Sequence, residues 1–140
     1  MVIGAIFAGG IGSRMGSADM PKQYLQLGSK PIIVHTIEKF VVNPGIDRII
    51  VLCPKAWIAH TKDLVKKYLG EAIAEKINVV EGGSTRNGTL ENALKFINEN
   101  FAIDDDSVIV THDAVRPFVT HRIIDENIEA AKKYGACEIG

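Results

Sequence analysis

The feature that most constrains this chain is a recurring pair: a short, nearly continuous apolar run followed by a stretch with helical spacing. The apolar runs are Val2 to Phe7, Arg48 to Cys53, Ile77-Asn78-Val79-Val80 and Ser107 to Thr111. Each is too short for a globular helix and lacks the polar alternation of a strand with one wet face, so each is expected to be a buried strand. One helical stretch opens at Pro31 and runs to Val42, with Ile33, Ile37, Phe40 and Val41 on one face and Asn43-Pro44-Gly45 as its stop. A second is marked by Trp57, Thr61, Leu64, Val65 and Tyr68 and ends at Gly70; a third carries Leu90, Leu94 and Ile97. Thr120 is placed to cap a fourth through Ile124, Ile128 and Ala131, with Lys132, Lys133 and Gly135 at its end. Strands that alternate with helices and are apolar on both faces predict an α/β, doubly wound, mostly parallel sheet. The segment 136–140 is expected to start another strand that is cut off. The expectation is therefore one domain over 1–140, truncated at its C-terminal side.

Composition narrows the function. Sixteen Lys+Arg against 17 Asp+Glu give a formal net charge of -1 over 140 residues. A nonspecific nucleic-acid or anionic-membrane binder would usually carry a positive field, so no nucleic acid and no membrane are expected as partners. No apolar run nears the ~18 residues of a membrane span, and no basic segment precedes Val2 to make a signal peptide. Cys53 and Cys137 form no C-x-x-C and read as ordinary thiols of a cytoplasmic protein. Phosphate chemistry, if present, must come from local residues.

In a sheet of this kind ligands sit beyond the carboxyl ends of the strands, and the unusual residues gather there. Ala8-Gly9-Gly10-Ile11-Gly12-Ser13-Arg14-Met15-Gly16 could aim backbone N–H groups at a phosphate, or be a plain tight turn. It lacks the Gly-Lys-Ser/Thr of a Walker A, and its G-x-G-x-x-x-G spacing is one residue too long for the dinucleotide fingerprint. Pro21-Lys22-Gln23-Tyr24 adds Lys22; with Arg14 it makes either an anion clamp or two solvated cations. Gly82-Gly83-Ser84-Thr85-Arg86-Asn87-Gly88-Thr89 joins a strand to a helix, where N–H groups and the helix dipole favour an anion or a polar base edge. Ser84 or Thr85 could instead cap that helix. His112-Asp113-Ala114-Val115-Arg116-Pro117 puts a carboxylate past a strand end, a natural Mg²⁺ ligand facing phosphates, with Arg116 placed to fix it or reach a nucleotide. His112 is expected to be structural, because adjacent side chains point in different directions; His35, His60 and His121 read as structural or solvated.

Together these motifs resemble the cytidylyltransferases of sugar and polyol phosphates, a family that includes the methylerythritol-phosphate and ribitol-5-phosphate branches. The motifs follow family order through nearly the whole chain. Ala8-Gly9-Gly10, the segment Lys30 to Phe40 and the segment Trp57 to Thr61 look more like the ribitol branch. The resemblance implies a Rossmann-like nucleotidyltransferase fold. It implies that Ala8, Gly9, Gly10 and Gly12 hold the CTP triphosphate and that Arg14 and Lys22 stabilise the transition state at the α-phosphorus. Gly82, Gly83, Ser84, Thr85, Arg86, Asn87 and Thr89 would bind cytosine and ribose. Asp113 would hold Mg²⁺, with Ala114 and Arg116 beside it at the nucleotide. The partners implied are CTP and a polyol phosphate. Family members are longer; their second half makes a homodimer and completes the acceptor site.

If the two cations form such a clamp, Arg14→Ala and Lys22→Ala should each lower kcat by about 10²-fold or more while weakening CTP binding less. Steady-state kinetics beside a CTP titration measures the split. An unchanged kcat in a folded variant would return that residue to the solvated surface.

Overall fold

The computed structural model describes residues 1–8, 21–116, 120–134 and 137–139. The chain forms β1 (Val2–Phe7), a 3-10 turn (Lys22–Tyr24), the short strands β2 (Gln26–Leu27) and β3 (Lys30–Pro31), and α1 (Ile32–Val41). It continues with β4 (Arg48–Cys53), a 3-10 turn (Lys55–Trp57), α2 (Ile58–Leu69), α3 (Glu71–Ala74) and β5 (Ile77–Glu81). The last elements are α4 (Arg86–Asn100), β6 (Val108–Asp113), α5 (His121–Tyr134) and β7 (Cys137–Ile139). The main sheet is five-stranded in the order β5-β4-β1-β6-β7. Its pairings are all parallel, as the doubly wound expectation required. The chain winds outward from β1 to β5, then crosses back to β6 on the other side of β1. The direction of winding therefore reverses between β1 and β6, which opens a crevice at their carboxyl ends.

The strands are apolar on both faces because both faces are covered. Val2 and Ile6 of β1 join Val51, Val34, Ile37, Phe40, Ile124 and Ile128 in one buried layer. Ile3, Ala5 and Phe7, one residue out of phase, join Ile50, Leu52, Ala93 and Ile97 in the other. So α1 and α5 pack on one side of β1 and α4 on the other. Thr120 caps α5 as expected, its Oγ1 accepting from Ile123 N at 3.2 Å.

Three details differ from the sequence reading. First, β6 runs on to Asp113, because its pairing with β1 continues through Ile6↔His112 and Phe7↔Asp113. His112 and Asp113 are thus strand residues on opposite faces. Second, α4 buries Thr89, Ala93 and Ile97, while Leu94 is exposed. The hydroxyl of Thr89 is bonded inward, which rotates the helix away from the stripe that Leu94 suggested. Third, the β2–β3 hairpin, the 3-10 turns and α3 carry too few residues to show a period.

Sheet and helix meet very closely at Gly4. A Cβ built there would lie 2.7 Å from Phe40 Cδ2 and 3.5 Å from Ile46 Cγ2. Phe40 is fully buried, so its ring has no room to retreat. Gly4→Ala should cost about 1–3 kcal/mol by overpacking, and Gly4→Ala/Phe40→Leu should lose less than the sum of the single changes. Denaturant melts of the set measure this; strict additivity would remove the contact as the cause.

Candidate functional site

A cleft of about 270 Å³ opens at the reversal between β1 and β6. Its walls are Phe7 and Ala8, Gln23, Gly83 to Arg86 with Thr89, and Asp113 with Val115. Residues of four segments that the sequence reading singles out separately are therefore brought to one place. Gly9, Gly10, Gly12 and Arg14, with the rest of the glycine loop, lie outside the described residues, as does Pro117.

The first wall is set by backbone bonds between strands. Ala8 N donates to Leu52 O at 2.7 Å, and Ala8 O accepts from the buried Gln23 amide at 2.8 Å. The 3-10 turn that carries Gln23 puts Gln23 and Tyr24 inside and Lys22 outside. Tyr24 stacks on Trp57 with ring centroids 4.6 Å apart, and its hydroxyl meets Thr61 Oγ1 at 2.6 Å. Burial pushes the Tyr24 phenol well up, more than the Thr61 bond pulls it down. The Cys53 thiol beneath is likewise pushed up by burial. Neither group is available as a nucleophile or base near neutral pH. Lys22 does not line the cleft itself; its backbone is fixed between buried neighbours, and its side chain is exposed.

The second wall is the turn from β5 into α4. Gly82 N donates to Cys53 O at 2.9 Å, and Gly83 N to Thr89 Oγ1 at 3.0 Å. Thr89 Oγ1 donates in turn to Thr85 O at 2.9 Å. Thr85 is the helix cap, its Oγ1 accepting from Gly88 N at 3.0 Å. Of the two residues that could cap the helix, Thr85 does so, and both Ser84 and Thr85 stay exposed on the wall. Arg86 and Thr89, three residues apart on α4, share the face toward the cleft. Asn87, a third of a turn away, is exposed and does not line it.

The third wall is the end of β6. Asp113 Oδ1 accepts from Arg86 Nη1 at 2.6 Å, and Arg116 Nε lies 3.8 Å from Asp113 Oδ2. The Arg86 guanidinium also sits 5.1 Å from the centroid of Phe7. Ala114 is buried, its N–H bonded to Phe7 O at 2.9 Å, so its side chain lies below the cleft. His112 is buried on the other face, with Nε2 2.8 Å from Arg116 O, as the structural expectation had it. Because a carbonyl only accepts, Nε2 carries the proton.

Among the described residues, no three His, Cys, Asp or Glu gather as a metal cage. Asp113 is the one carboxylate among the lining residues. A single carboxylate suits Mg²⁺ that arrives with a phosphate ligand and keeps waters, rather than a cation held by protein alone. Oδ1 is engaged by Arg86, so such an ion would take Oδ2 or displace the guanidinium. The exposed pair is worth roughly 0.2–1 kcal/mol, a cost that a phosphate-bound cation can meet.

The family profile described as IspD, 2-C-methyl-D-erythritol 4-phosphate cytidylyltransferase, matches residues 2–139. The chain belongs to this family. A solved structure from Anaerococcus prevotii, a 4-diphosphocytidyl-2C-methyl-D-erythritol synthase, is 29% identical with a TM-score of 0.70; the match covers 95% of this chain and 51% of that one. The 2-C-methyl-D-erythritol 4-phosphate cytidylyltransferase of Francisella tularensis is 35% identical with a TM-score of 0.69, over 94% of this chain and 52% of that one. A further 4-diphosphocytidyl-2C-methyl-D-erythritol synthase, 24% identical with a TM-score of 0.73, agrees in fold. The chain thus spans about half the length of these structures.

The leaning toward the ribitol branch finds no support in these matches. Two of the three segments that carried it serve the core: Ile33, Val34, Ile37 and Phe40 lie under β1, and Trp57 and Thr61 hold Tyr24, away from the cleft. Of the third, Ala8 lines the cleft, and Gly9 and Gly10 lie outside the described residues.

Gln23 lines the cleft, a place that its motif Pro21-Lys22-Gln23-Tyr24 does not single out for it. A signal was present: an amide between a lysine and a tyrosine in a turn too short to be helical.

Gly83 is held against the helix start, where an added Cβ would lie 2.5 Å from Gly88 C and 2.7 Å from Thr89 N. At Gly82 the nearest atom would be 3.4 Å away. Gly83→Ala should therefore open the β5–α4 turn and cost more than about 2 kcal/mol, whereas Gly82→Ala should be tolerated. Paired thermal melts distinguish them, and equal losses would remove the close approach as the reason.

Proposed function

We propose that this chain forms the nucleotide-binding part of a cytidylyltransferase that joins CTP to 2-C-methyl-D-erythritol 4-phosphate. The observation that carries the reading is the convergence of the family's motifs on one cleft, in a chain that the family profile matches from end to end. The fold of the solved relatives supports it, and their names favour the methylerythritol acceptor over ribitol 5-phosphate.

In this reading the wall 83–89 receives cytosine and ribose, and the loop that begins at Ala8 receives the triphosphate. Arg14 and Lys22 flank the α-phosphorus. A phosphate oxygen of the acceptor attacks that phosphorus, the bond from it to the β-bridging oxygen breaks, and pyrophosphate leaves with the electron pair. The acceptor phosphate is already ionised at neutral pH, so no side chain is asked to take a proton. The residues bind, orient and neutralise charge that grows on the phosphoryl oxygens. Asp113 is the residue that would hold Mg²⁺, which when bound neutralises triphosphate charge. The solved relatives run to about twice the length of this chain, and in this reading the acceptor site and a homodimer draw on length of that kind.

Calorimetric titration should show CTP with Mg²⁺ binding more tightly than ATP, GTP or NAD. Equal affinity for all of them, or a preference for NAD, would sink the nucleotide assignment. In the complete protein, pyrophosphate release should be faster with methylerythritol phosphate than with ribitol 5-phosphate. The reverse order would move the acceptor to the ribitol branch and leave the nucleotide half intact.

A further inference from the structure

α1 presents an apolar face to the sheet through Ile33, Val34, Ile37 and Phe40, all fully buried. Thr36 lies among them, equally buried, and is the polar exception. A hydroxyl taken out of water is costly unless it is bonded. The usual partner in a helix is the carbonyl one turn back, but Ile32 O is 3.4 Å away. The short bond goes elsewhere: Thr36 Oγ1 donates to Ala114 O at 2.8 Å, across 78 residues of chain. Ala114 is the residue between Asp113 and the turn that ends in Arg116. That turn is closed by Arg116 N to Asp113 O at 3.1 Å and held from below by His112 at Arg116 O.

The same helix is tied at its first residue to the other side of the cleft. Ile32 N donates to Leu25 O at 2.9 Å, and Leu25 N donates to Lys22 O at 3.1 Å. Ile32 and Thr36 are one turn apart, roughly 6 Å along the axis. One turn of α1 therefore spans the chain that carries Lys22 and the chain that carries Asp113 and Arg116.

We propose that Thr36 is a positioning residue: its buried hydroxyl fixes the turn 113–116, and through it Asp113 and Arg116, at a set distance from the Lys22 segment. It touches no ligand and acts only through the Ala114 carbonyl. Valine would fill the same space without the bond, and serine would keep the bond with one methyl fewer.

The test uses Thr36→Val and Thr36→Ser, with Thr36→Ala read in place of the valine variant if that one does not fold. Amide resonances of Ala114, Val115 and Arg116 in the ligand-free protein should move in Thr36→Val and return in Thr36→Ser. CTP with Mg²⁺, a readout that rests on the proposed function above, should bind roughly tenfold more weakly to Thr36→Val and within about twofold of normal to Thr36→Ser. Thr36→Val/Asp113→Asn should lose little more affinity than Asp113→Asn alone, because both changes act on the same contact. A role in stability alone would lower the melting temperature and leave affinity and coupling unmoved, which would overturn the proposal. So would unmoved amides at 114–116, or a serine variant that behaves like valine. Failure of the unaltered protein to bind CTP would overturn the proposed function instead, and the amide shifts would still decide for or against Thr36.

Discussion

The parallel pairing of β1 with β6 is the constraint on which the rest depends. It holds in register through Phe7↔Asp113, and it is where the winding of the sheet reverses. Neighbouring residues of a strand face opposite layers, so the register decides what each side chain does. With the register observed, His112 lies under the sheet beside Phe40, ring centroids 5.7 Å apart, and Asp113 meets Arg86 above it. A slip of one residue would exchange them. It would bury a carboxylate against an aromatic ring and leave an imidazole at the cleft. The burial penalty of an unpaired charge amounts to several kcal/mol, so the core that stabilises the sheet also selects the register that builds the cleft.

Two close approaches then set the spacing of the layers. On one side Phe40 presses into the gap left by Gly4, which brings α1 down on β1. On the other, Gly83 lets the start of α4 close on the end of β5. Each replaces a side chain with a contact between elements, and the two lie on opposite faces of the sheet. Gly83 is itself a lining residue, so one of these close approaches forms part of the cleft wall. A buried hydroxyl on α1 reaches a surface carboxylate through two bonds, from Thr36 to Ala114 O and from Arg116 N to Asp113 O, in a close-packed interior that transmits strain.

Much of this was legible in the residues. Continuous apolar runs gave the parallel sheet because burial on both faces leaves no polar alternation. Gly82-Gly83 and His112-Asp113 pointed to the cleft because glycine and charge are out of place beside a buried strand. What was not legible depended on tertiary bonds. The end of β6 was placed too early because His112 and Asp113 are polar; their strand conformation comes from β1. Of Leu90, Leu94 and Ile97, the first and last pack on the core, while Leu94 is exposed and Thr89 and Ala93 share the buried face instead. Thr36 passed unnoticed because a threonine inside a helix is unremarkable until its partner, 78 residues on, is known. The helix segments that suggested a ribitol acceptor find no support in the matches, and the apolar residues in them serve the core.

The charge of the cleft follows from the same economy of parts. The chain as a whole is close to neutral, at -1, so no long-range field draws an anion in. Attraction must be local, and locally Arg86 and Arg116 both lean on Asp113. In that arrangement the guanidiniums and the carboxylate satisfy each other, and the Phe7 ring beneath Arg86 keeps its plane in place. An anion that arrived alone would meet, at these three described side chains, one net positive charge, shared. One that arrived with a divalent cation would offer Asp113 a stronger partner and free an arginine for its own oxygens. Both exchanges conserve the number of opposite-charge contacts, and neither buries a charge unpaired. The wall formed by Arg86, Asp113 and Arg116 thus carries both signs of charge in one contact set, with a single carboxylate shared by two guanidiniums.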